Sequence, residues 1–424
     1  MEQIQKVHAR EVFDSRGNPT VAATVKLFSG FSGTAIVPSG ASTGKHEAVE
    51  LRDGDGKRFF GKGVRKAVDN INTRIAGKIE GKDPWQQQKI DKLLCELDGT
   101  KNKSRLGANA ILAVSLAVAK AAAVSRGANL FQHFSNLVGG GFPTRMPVPL
   151  FNVINGGVHA DSGLDIQEFM LVPTGAESFS HAMQIGVEVF HTLKKILREK
   201  SLATSVGDEG GFAPNLKKNQ DAIELILQAA EQAGHLKKVK IALDVAASEF
   251  FDSEKKVYRF EGGERNAKWM ADFFEKLCGK FPICSIEDPL AEDEFEDWAK
   301  LTAKVGKKVQ VVGDDLLVTN PGRIKTAIEQ KSANALLVKL NQIGTLTETI
   351  QAILLAHKSD WRAIISHRSG ETEDTTIADL AVGLQTGQIK TGSLCRGERI
   401  CKFNRLLKIE ELVAGKAEFD GSFL

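Results

Sequence analysis

Six short apolar runs, each ending in a charged or polar residue, constrain the fold of this 424-residue chain more than any other feature. Successive end residues are 23 to 43 positions apart, which suits one strand, one helix and two loops. Apolar strands with charge at their C-terminal ends are typical of a (β/α)-barrel with its active site at that end. An open doubly wound sheet is the alternative, but six strands feeding one polar set favour the barrel. The six end residues are Asp244, Glu287, Asp314, Lys339, His367 and Lys390.

The first third of the chain has a different pattern. Residues 1–60 alternate apolar and polar positions between glycine-rich turns, and residues 62–136 have the periodicity of helices. A GGGFP segment at 139–143 marks the change. We therefore predict an α/β protein in which an α+β domain, residues 1–138, precedes a (β/α)8 barrel, residues 139–424.

Composition excludes several classes of protein. With 42% hydrophobic and 26% charged residues and a net charge of +3, the chain resembles an ordinary globular protein without a nucleic-acid surface. Its five cysteines include no C-x-x-C pair, which indicates free thiols in a reducing compartment. The apolar run from Ala108 to Val124 is short and alanine-rich, so we expect a buried helix and no membrane span. The N-terminus lacks the apolar core of a signal peptide, and we expect a cytoplasmic protein.

Three of the strand ends carry carboxylates: Asp244, Glu287 and Asp314. Such residues often cap the helix that follows a strand, and this explanation suffices for any one of them alone. Three in register, facing Lys339 and Lys390, favour instead the oxygen ligands of a divalent cation such as Mg²⁺.

Lys339 interrupts the apolar segment NALLVKLNQIG. An edge-strand lysine reaching solvent is the simpler interpretation. Alternation along a barrel strand would instead place Leu337, Lys339 and Asn341 on the inner face. Burial and neighbouring cations would then lower the pKa of Lys339 towards the value that a general base needs.

Other loops contribute candidate acid and anion-binding residues. Glu168 ends a strand-like run, Glu209 lies in the glycine-flanked loop SVGDEGGFAPN, and SHRSG places His367, Arg368 and Ser369 together. The PSGASTG segment, 38–44, has the composition of a mobile lid. A lysine base, a glutamate acid, a divalent cation and an anion site suit proton removal from carbon next to a carboxylate.

The sequence resembles the enolase family over essentially its whole length. The resemblance rests on collinear motifs that include DSRGNPTV, VPSGASTG, INGGVHA, DIQEFM, VGDEGGFAPN, SIEDPLAED, GDDLLVTNP, VKLNQIGTL, SHRSGETED and GQIKTGS. It implies an α+β N-terminal domain and an irregular barrel that begins with antiparallel strands. It also implies a glycolytic hydro-lyase that interconverts 2-phosphoglycerate and phosphoenolpyruvate through an enediolate, and a lysine base working with Mg²⁺ is a known property of this superfamily.

The resemblance also implies a role for individual residues. Lys339 would remove the C2 proton, Glu209 would protonate the leaving C3 hydroxyl with support from Glu168, and His159 and His367 would line the site. Asp244, Glu287 and Asp314 would hold one Mg²⁺, and Ser42 would help to hold a second that assembles with the substrate. Arg368 and Ser369 would bind phosphate, and Gln167 and Lys390 would contact the substrate.

The expected assembly is a homodimer or a larger homo-oligomer. Further partners implied by the family are an RNA-processing complex or surface ligands, with a secreted or cell-surface pool beside the cytoplasmic one. Departures from the family pattern are Ala22 and Lys408, at positions that commonly lie at the subunit interface, Ser162 and Phe403. Two alternatives stay open: a relative acting on another carboxylic acid, and a binding or structural protein on the same fold.

Overall fold

The computed structural model describes residues 2–40, 44–157, 162–422 and 424. Its first domain begins with an antiparallel sheet in the order β1-β2-β3. The alternating pattern seen in the sequence explains the sheet, because Ile4, Val7 and Ala9 of β1 face the core while residues between them are exposed. The strands are β1 (Ile4–Phe13), β2 (Pro19–Leu27) and β3 (Ser32–Ile36).

Five helices complete this domain, three of them in contact with the sheet and two packed on the central helix. The central one, α4, is the alanine-rich run, and it is apolar on every side because it lies between the sheet and the other helices. By length and composition it could cross a membrane, but 83% of it is buried inside the protein, as in a core helix. The helices are α1 (Arg65–Asp69), α2 (Ala76–Ile79), α3 (Gln87–Asp98), α4 (Ala108–Ser125) and α5 (Leu130–Leu137), with a π-helix, Asn70–Ile75, between α1 and α2.

The second part of the chain is a closed barrel of eight strands, which confirms the predicted fold class. The order around the barrel is β10-β11-β12-β13-β14-β4-β5-β6. The barrel strands are β4 (Val148–Asn155), β5 (Glu168–Val172), β6 (Lys240–Asp244), β10 (Ile283–Glu287), β11 (Gln310–Gly313), β12 (Ala335–Val338), β13 (Arg362–Ser366) and β14 (Gln388–Lys390). A small separate sheet, β7 (Phe251–Asp252), β8 (Val257–Phe260) and β9 (Gly263–Arg265), follows β6.

One barrel strand runs against the others. β5 pairs antiparallel with both β4 and β6, whereas the remaining neighbours in the barrel are parallel. The expected antiparallel start of the barrel is therefore confirmed. Glu168, placed late in a strand by the sequence pattern, is instead the first residue of β5. Because β5 is reversed, its first residue still lies at the C-terminal end of its neighbours, opposite Asp244.

Four of the nine barrel helices given below have a recognisable start signal. Ser178, Asn266 and Thr345 each accept a hydrogen bond from a backbone N–H of the first turn, and Asn320 does so before Pro321. The helices are α6 (Phe179–Glu199), α7 (Asn219–Gln232), α8 (Ala267–Lys280), α9 (Phe295–Val305), α10 (Pro321–Gln330), α11 (Leu340–Ile343), α12 (Leu346–Lys358), α13 (Thr376–Gly383) and α14 (Gly397–Leu412).

The strand that carries Lys339 is shorter than the sequence suggested. Inside the barrel Leu337 packs with Val312 and Ile364, as alternation predicts. The strand ends at Val338, however, and Lys339 is the extended residue that directly precedes the four-residue helix α11. Asn341 therefore lies on a helix and not on the inner face of a strand, so that part of the prediction is wrong.

Buried polar contacts join the two domains. Asp91 of α3 accepts hydrogen bonds from the backbone N–H of Thr347, at 2.9 Å, and from its hydroxyl, at 2.6 Å. Lys120 of α4 pairs with Asp374 at 2.7 Å, and Ser39 forms a two-residue antiparallel bridge with Gly370. The first domain is thus fixed against the end of the barrel where the charged strand ends meet.

Candidate active site

A cavity opens at the C-terminal ends of the barrel strands, and it collects the charged residues that the sequence placed there. Ten of the predicted site residues line it, although they come from segments more than 200 positions apart. Such convergence of charge in one concave site is typical of a binding or catalytic centre. The ten residues are Gln167, Glu168, Glu209, Asp244, Asp314, Lys339, His367, Arg368, Ser369 and Lys390.

Lys390 is the centre of one buried charge cluster. Its Nζ lies 2.8 Å from Asp244 Oδ2, 2.9 Å from Glu287 Oε1 and 3.3 Å from Glu168 Oε2. Burial lowers the pKa of Lys390, but the three carboxylates outweigh it and raise that pKa well above its ordinary value. Burial and the charge of Asp244 raise the pKa of Glu287. Three carboxylates thus share one cation in this part of the site.

Lys339 forms the second charge cluster, with Asp314. Its Nζ donates to Asp314 Oδ2, while Gln342 donates to the other oxygen of that carboxylate at 2.8 Å. We expected burial and neighbouring cations to lower the pKa of Lys339. Burial does lower it, but the adjacent charge of Asp314 outweighs burial and raises the pKa above the ordinary lysine value. The ion pair holds Lys339 in its ammonium form.

Asp314 also belongs to a tight group of acidic side chains. Asp288, Asp314 and Asp315 each offer an oxygen, and these oxygens lie within 4.8 Å of one another. Burial and the charge of Asp314 raise the pKa of Asp315 to about 8, and the pKa of Asp288 is also raised. Asp288 has a structural role as well, because it accepts hydrogen bonds from the backbone N–H groups of Asp314 and Asp315.

These carboxylates suit a hard divalent cation. All of the donors are oxygens, and they are crowded enough that their charges repel one another, which a bound cation would relieve. Of the predicted metal ligands, only Asp314 belongs to this group of three aspartates. Asp244 ends β6 and Glu287 ends the adjacent strand β10, and the two residues are in register. Lys390 donates a hydrogen bond to each of these carboxylates.

Glu209 lies on another side of the cavity, on the loop before α7. Its Oε2 accepts a hydrogen bond from Asn152 Nδ2 at 3.1 Å and lies 3.4 Å from His367 Nε2. The glycines that follow Glu209 let its loop approach β4 closely. A Cβ at Gly211 would lie only 2.0 Å from Asn155 Oδ1. Burial lowers the pKa of His367 to about 4, so its imidazole is neutral near neutral pH.

Arg368 places a guanidinium in the wall of the cavity. Its guanidinium is buried, and it pairs with both oxygens of Glu47, at 3.0 and 3.2 Å. Asn341 Oδ1 accepts a further hydrogen bond from Arg368 at 2.9 Å. Burial lowers the pKa of Arg368, but the charge of Glu47 outweighs it and the pKa is raised. Glu47 comes from the N-terminal domain, so the site includes residues of both domains.

Comparison with known families agrees with this architecture. Residues 4–134 match the family model described as "Enolase, N-terminal domain". Residues 143–423 match the one described as "Enolase, C-terminal TIM barrel domain".

The chain belongs to the enolase family.

This membership makes the protein a lyase of the enolase superfamily. The boundary between the two matched regions, from 134 to 143, includes the predicted division after residue 138. The five cysteines are free thiols, as predicted. Of the site residues expected in an enolase, Ser42 and His159 lie outside the described residues, and Glu287 reaches the cavity through Lys390. The individual roles assigned to site residues stay predictions.

Sequence analysis missed several residues of this enolase site. Glu47 follows the PSGASTG segment and had no motif of its own, although a glutamate close to a predicted lid was a weak signal. Asp288 and Asp315 each follow a predicted metal ligand directly, so their proximity could have been inferred from the strand ends. Arg399 lies behind the cavity, with its Nη1 2.6 Å from Nδ1 of His367, and it gave no signal because nothing in the sequence brings α14 to this position.

Proposed function

We propose that this protein catalyses the reversible, Mg²⁺-dependent dehydration of 2-phosphoglycerate to phosphoenolpyruvate. The observation that carries the proposal is the placement of Lys339 and Glu209 across one cavity. Lys339 follows β12, whereas Glu209 is held against Asn152 of β4, three strands further around the barrel. A base and an acid on different sides of a bound substrate suit removal of a proton and a hydroxyl from adjacent carbons.

Proton removal from C2 is the difficult step, since it places a second negative charge next to the carboxylate of the substrate. Lys339 has to leave Asp314 and lose its own proton before it can act as the base. Lys390 supplies a fixed positive charge in the same cavity, and its raised pKa keeps it protonated during the reaction. Such preorganised charge stabilises the enediolate more than it stabilises the substrate.

The Mg²⁺ ions would be held by side chains of the acidic groups. Asp244, Glu287 and Asp314 would hold the first, with Asp288 and Asp315 adjacent to it, and Ser42 would contribute to the second. Bound there, the ions would neutralise the charge that develops on the substrate carboxylate. The same carboxylates accept hydrogen bonds from the ammonium groups of Lys339 and Lys390, and this supports their proposed role as cation ligands.

Departure of the C3 hydroxyl needs a proton donor, because hydroxide is a poor leaving group. Glu209 is buried beside Asn152 and His367 at the wall of the cavity. Burial and the charge of Glu209 raise the pKa of Glu168, which places a second protonatable carboxyl nearby. Glu209 would donate its proton to the leaving oxygen, with Glu168 supporting it.

Arg368 and Ser369 support a phosphorylated substrate. The guanidinium presents several donors in one plane and suits phosphate, and it already binds a carboxylate of the protein. A relative that acts on an unphosphorylated acid does not need this group. The buried arginine therefore favours 2-phosphoglycerate over the alternative substrates.

A direct test is conversion of 2-phosphoglycerate to phosphoenolpyruvate, followed by absorbance with and without added Mg²⁺. We expect turnover that depends on Mg²⁺, and a much lower kcat/KM for unphosphorylated glycerate. Folded protein that is inactive in excess Mg²⁺ would contradict the proposal and favour a binding role. Equal turnover of glycerate would instead favour a relative with another substrate.

Self-association is proposed on a separate observation. Phe13, Phe59 and Phe60 form an apolar patch on the N-terminal domain, with 56%, 37% and 94% of each residue exposed. The rings of Phe13 and Phe59 pack edge to face, with their centroids 5.7 Å apart. Exposed aromatic groups of this kind mark interaction surfaces. A second copy of the chain is the partner that the family resemblance implies.

Replacing Phe60 with aspartate is expected to convert the oligomer to a monomer at micromolar concentration, because a charge would be buried at the interface. Light scattering coupled to gel filtration measures the mass directly. Phe28→Asp is the matched control, since Phe28 is also exposed (63%) but lies at the opposite end of the β1-β2 pair. A Phe60→Asp protein with the mass of the wild type would refute this interface.

A further inference from the structure

Arg399 is a fully buried cation that no part of the proposed reaction uses. It lies in the first turn of α14, and both of its terminal nitrogens point towards the cavity loops. One of them, Nη1, lies 2.6 Å from Nδ1 of His367 and donates to the carbonyl of Arg368 at 2.7 Å. The other, Nη2, donates to the carbonyls of Asp208, at 3.0 Å, and Ser369, at 2.7 Å.

The contact with His367 decides which ring nitrogen carries the proton. A guanidinium has donors only and cannot accept a hydrogen bond. Nδ1 of His367 must therefore be the acceptor, which leaves the proton of the neutral ring on Nε2. That nitrogen lies 3.4 Å from Oε2 of Glu209. We propose that Arg399 is a positioning residue that fixes the Nε2–H tautomer of His367, so that this imidazole donates to Glu209.

The same guanidinium also sets the relative position of the two loops. Asp208 directly precedes Glu209, and the carbonyls of Arg368 and Ser369 directly follow His367. A displacement of either loop would break hydrogen bonds to a buried charge and leave that charge poorly solvated, which is strongly unfavourable. Arg399 thus fixes the loop of Glu209 and the loop of His367 relative to each other, because one guanidinium binds both.

The charge of Arg399 has a consequence for proton transfer, and this step rests on the proposed function. The charged groups that act on His367 are Glu209 and Glu371, which favour its protonation, and Arg399, which opposes it together with burial. A cationic His367 would stabilise ionised Glu209 and weaken it as an acid. By keeping the ring neutral, Arg399 preserves the ability of Glu209 to hold and deliver a proton.

The tautomer can be measured without substrate. In protein labelled with ¹⁵N-histidine, we expect His367 to show a protonated Nε2 and an unprotonated Nδ1 from pH 5.5 to 8. The signal is identified by its loss in His367→Gln, among the nine histidines of the chain. A protonated Nδ1 in the wild type at neutral pH would overturn the proposal, whatever the enzyme's activity proves to be.

Variants of Arg399 test the functional consequence. In Arg399→Met we expect the pKa of His367 to rise above the value of about 4 that burial and Arg399 together give it, because the charge of Arg399 no longer opposes protonation of the ring while Glu209 still favours it. Net dehydration should then fall as the pH is lowered through that new value, and Arg399→Lys should restore part of the wild-type profile. An Arg399→Met protein with an unshifted His367 titration would contradict the inference.

Lys402 provides the matched control on the same helix. It is also fully buried and pairs with Glu371 at 2.7 Å, but its ammonium donates to the carbonyls of Thr372 and Glu398. Lys402→Met should lower stability and leave the tautomer of His367 unchanged, because the described contacts of Lys402 are with Glu371 and two backbone carbonyls and not with the imidazole. If Arg399→Met does not fold, the wild-type tautomer and the Arg399→Lys titration still decide the question. If both behave as expected in a protein that does not dehydrate 2-phosphoglycerate, only the proposed function fails.

Discussion

Replacing Lys339 with alanine is expected to abolish exchange of the C2 proton of 2-phosphoglycerate with solvent, and net dehydration with it. Lys339 directly follows β12, and its side chain is largely buried in the cavity. Its ammonium donates a hydrogen bond to Asp314. A positioned general base contributes about 10²- to 10⁴-fold to a rate. At the upper end of this range the loss corresponds to about 5 kcal/mol of transition-state stabilisation.

Deuterium exchange at C2, followed by NMR, and phosphoenolpyruvate formation, followed by absorbance, would measure the two effects separately. Lys103→Ala is a suitable control, because Lys103 is also a buried lysine with a carboxylate partner, Glu348 at 2.9 Å, outside the cavity. We expect that variant to retain both activities. Exchange within tenfold of the wild type in Lys339→Ala would assign the base to another residue.

Replacing Glu209 with glutamine should separate the two half-reactions. An amide cannot deliver the proton that the C3 hydroxyl needs, but it keeps the size of the side chain and an oxygen that can face Asn152 and His367. We therefore expect C2 exchange to continue while phosphoenolpyruvate formation falls about 10²- to 10⁴-fold.

The neighbouring Asp208 offers a control on the same loop. Its side chain is exposed, and only its backbone carbonyl takes part in the described contact with Arg399. Asp208→Asn should retain both exchange and dehydration. Equal loss of the two activities in Glu209→Gln would mean that Glu209 has a part in proton removal, and the division of roles would have to be abandoned.

Much of the barrel could be predicted because its strands repeat one physical pattern. Burial on both faces makes each strand apolar, and the polar residue at its end marks the point where the chain reaches solvent or a ligand. Asp244, Asp314 and Lys390 could therefore be placed in one site without knowledge of the loops. β5 departs from this pattern, since its site residue comes first, and its direction followed only from the family resemblance.

Other features depend on contacts that are distant in sequence. The pKa of Lys339 is raised because Asp314, on a different strand end, is adjacent to it, and the burial visible in the sequence predicts the opposite. The approach of Arg399 to His367 depends on how α14 packs against the loops, and no local pattern specifies that. Local periodicity thus identified the strands, while tertiary packing set the charges of the site.

The pairing of Glu47 with Arg368 has a consequence for any attempt to divide the protein. A gene truncated between the two domains would encode a complete set of barrel strands, but it would leave a buried guanidinium without the carboxylate that accepts from both of its terminal nitrogens. Thr347 would likewise lose Asp91, its acceptor on α3. The barrel alone is therefore a poor candidate for a minimal catalyst. If the two domains were produced separately and mixed, the Glu47–Arg368 contact would have to re-form at the interface between them.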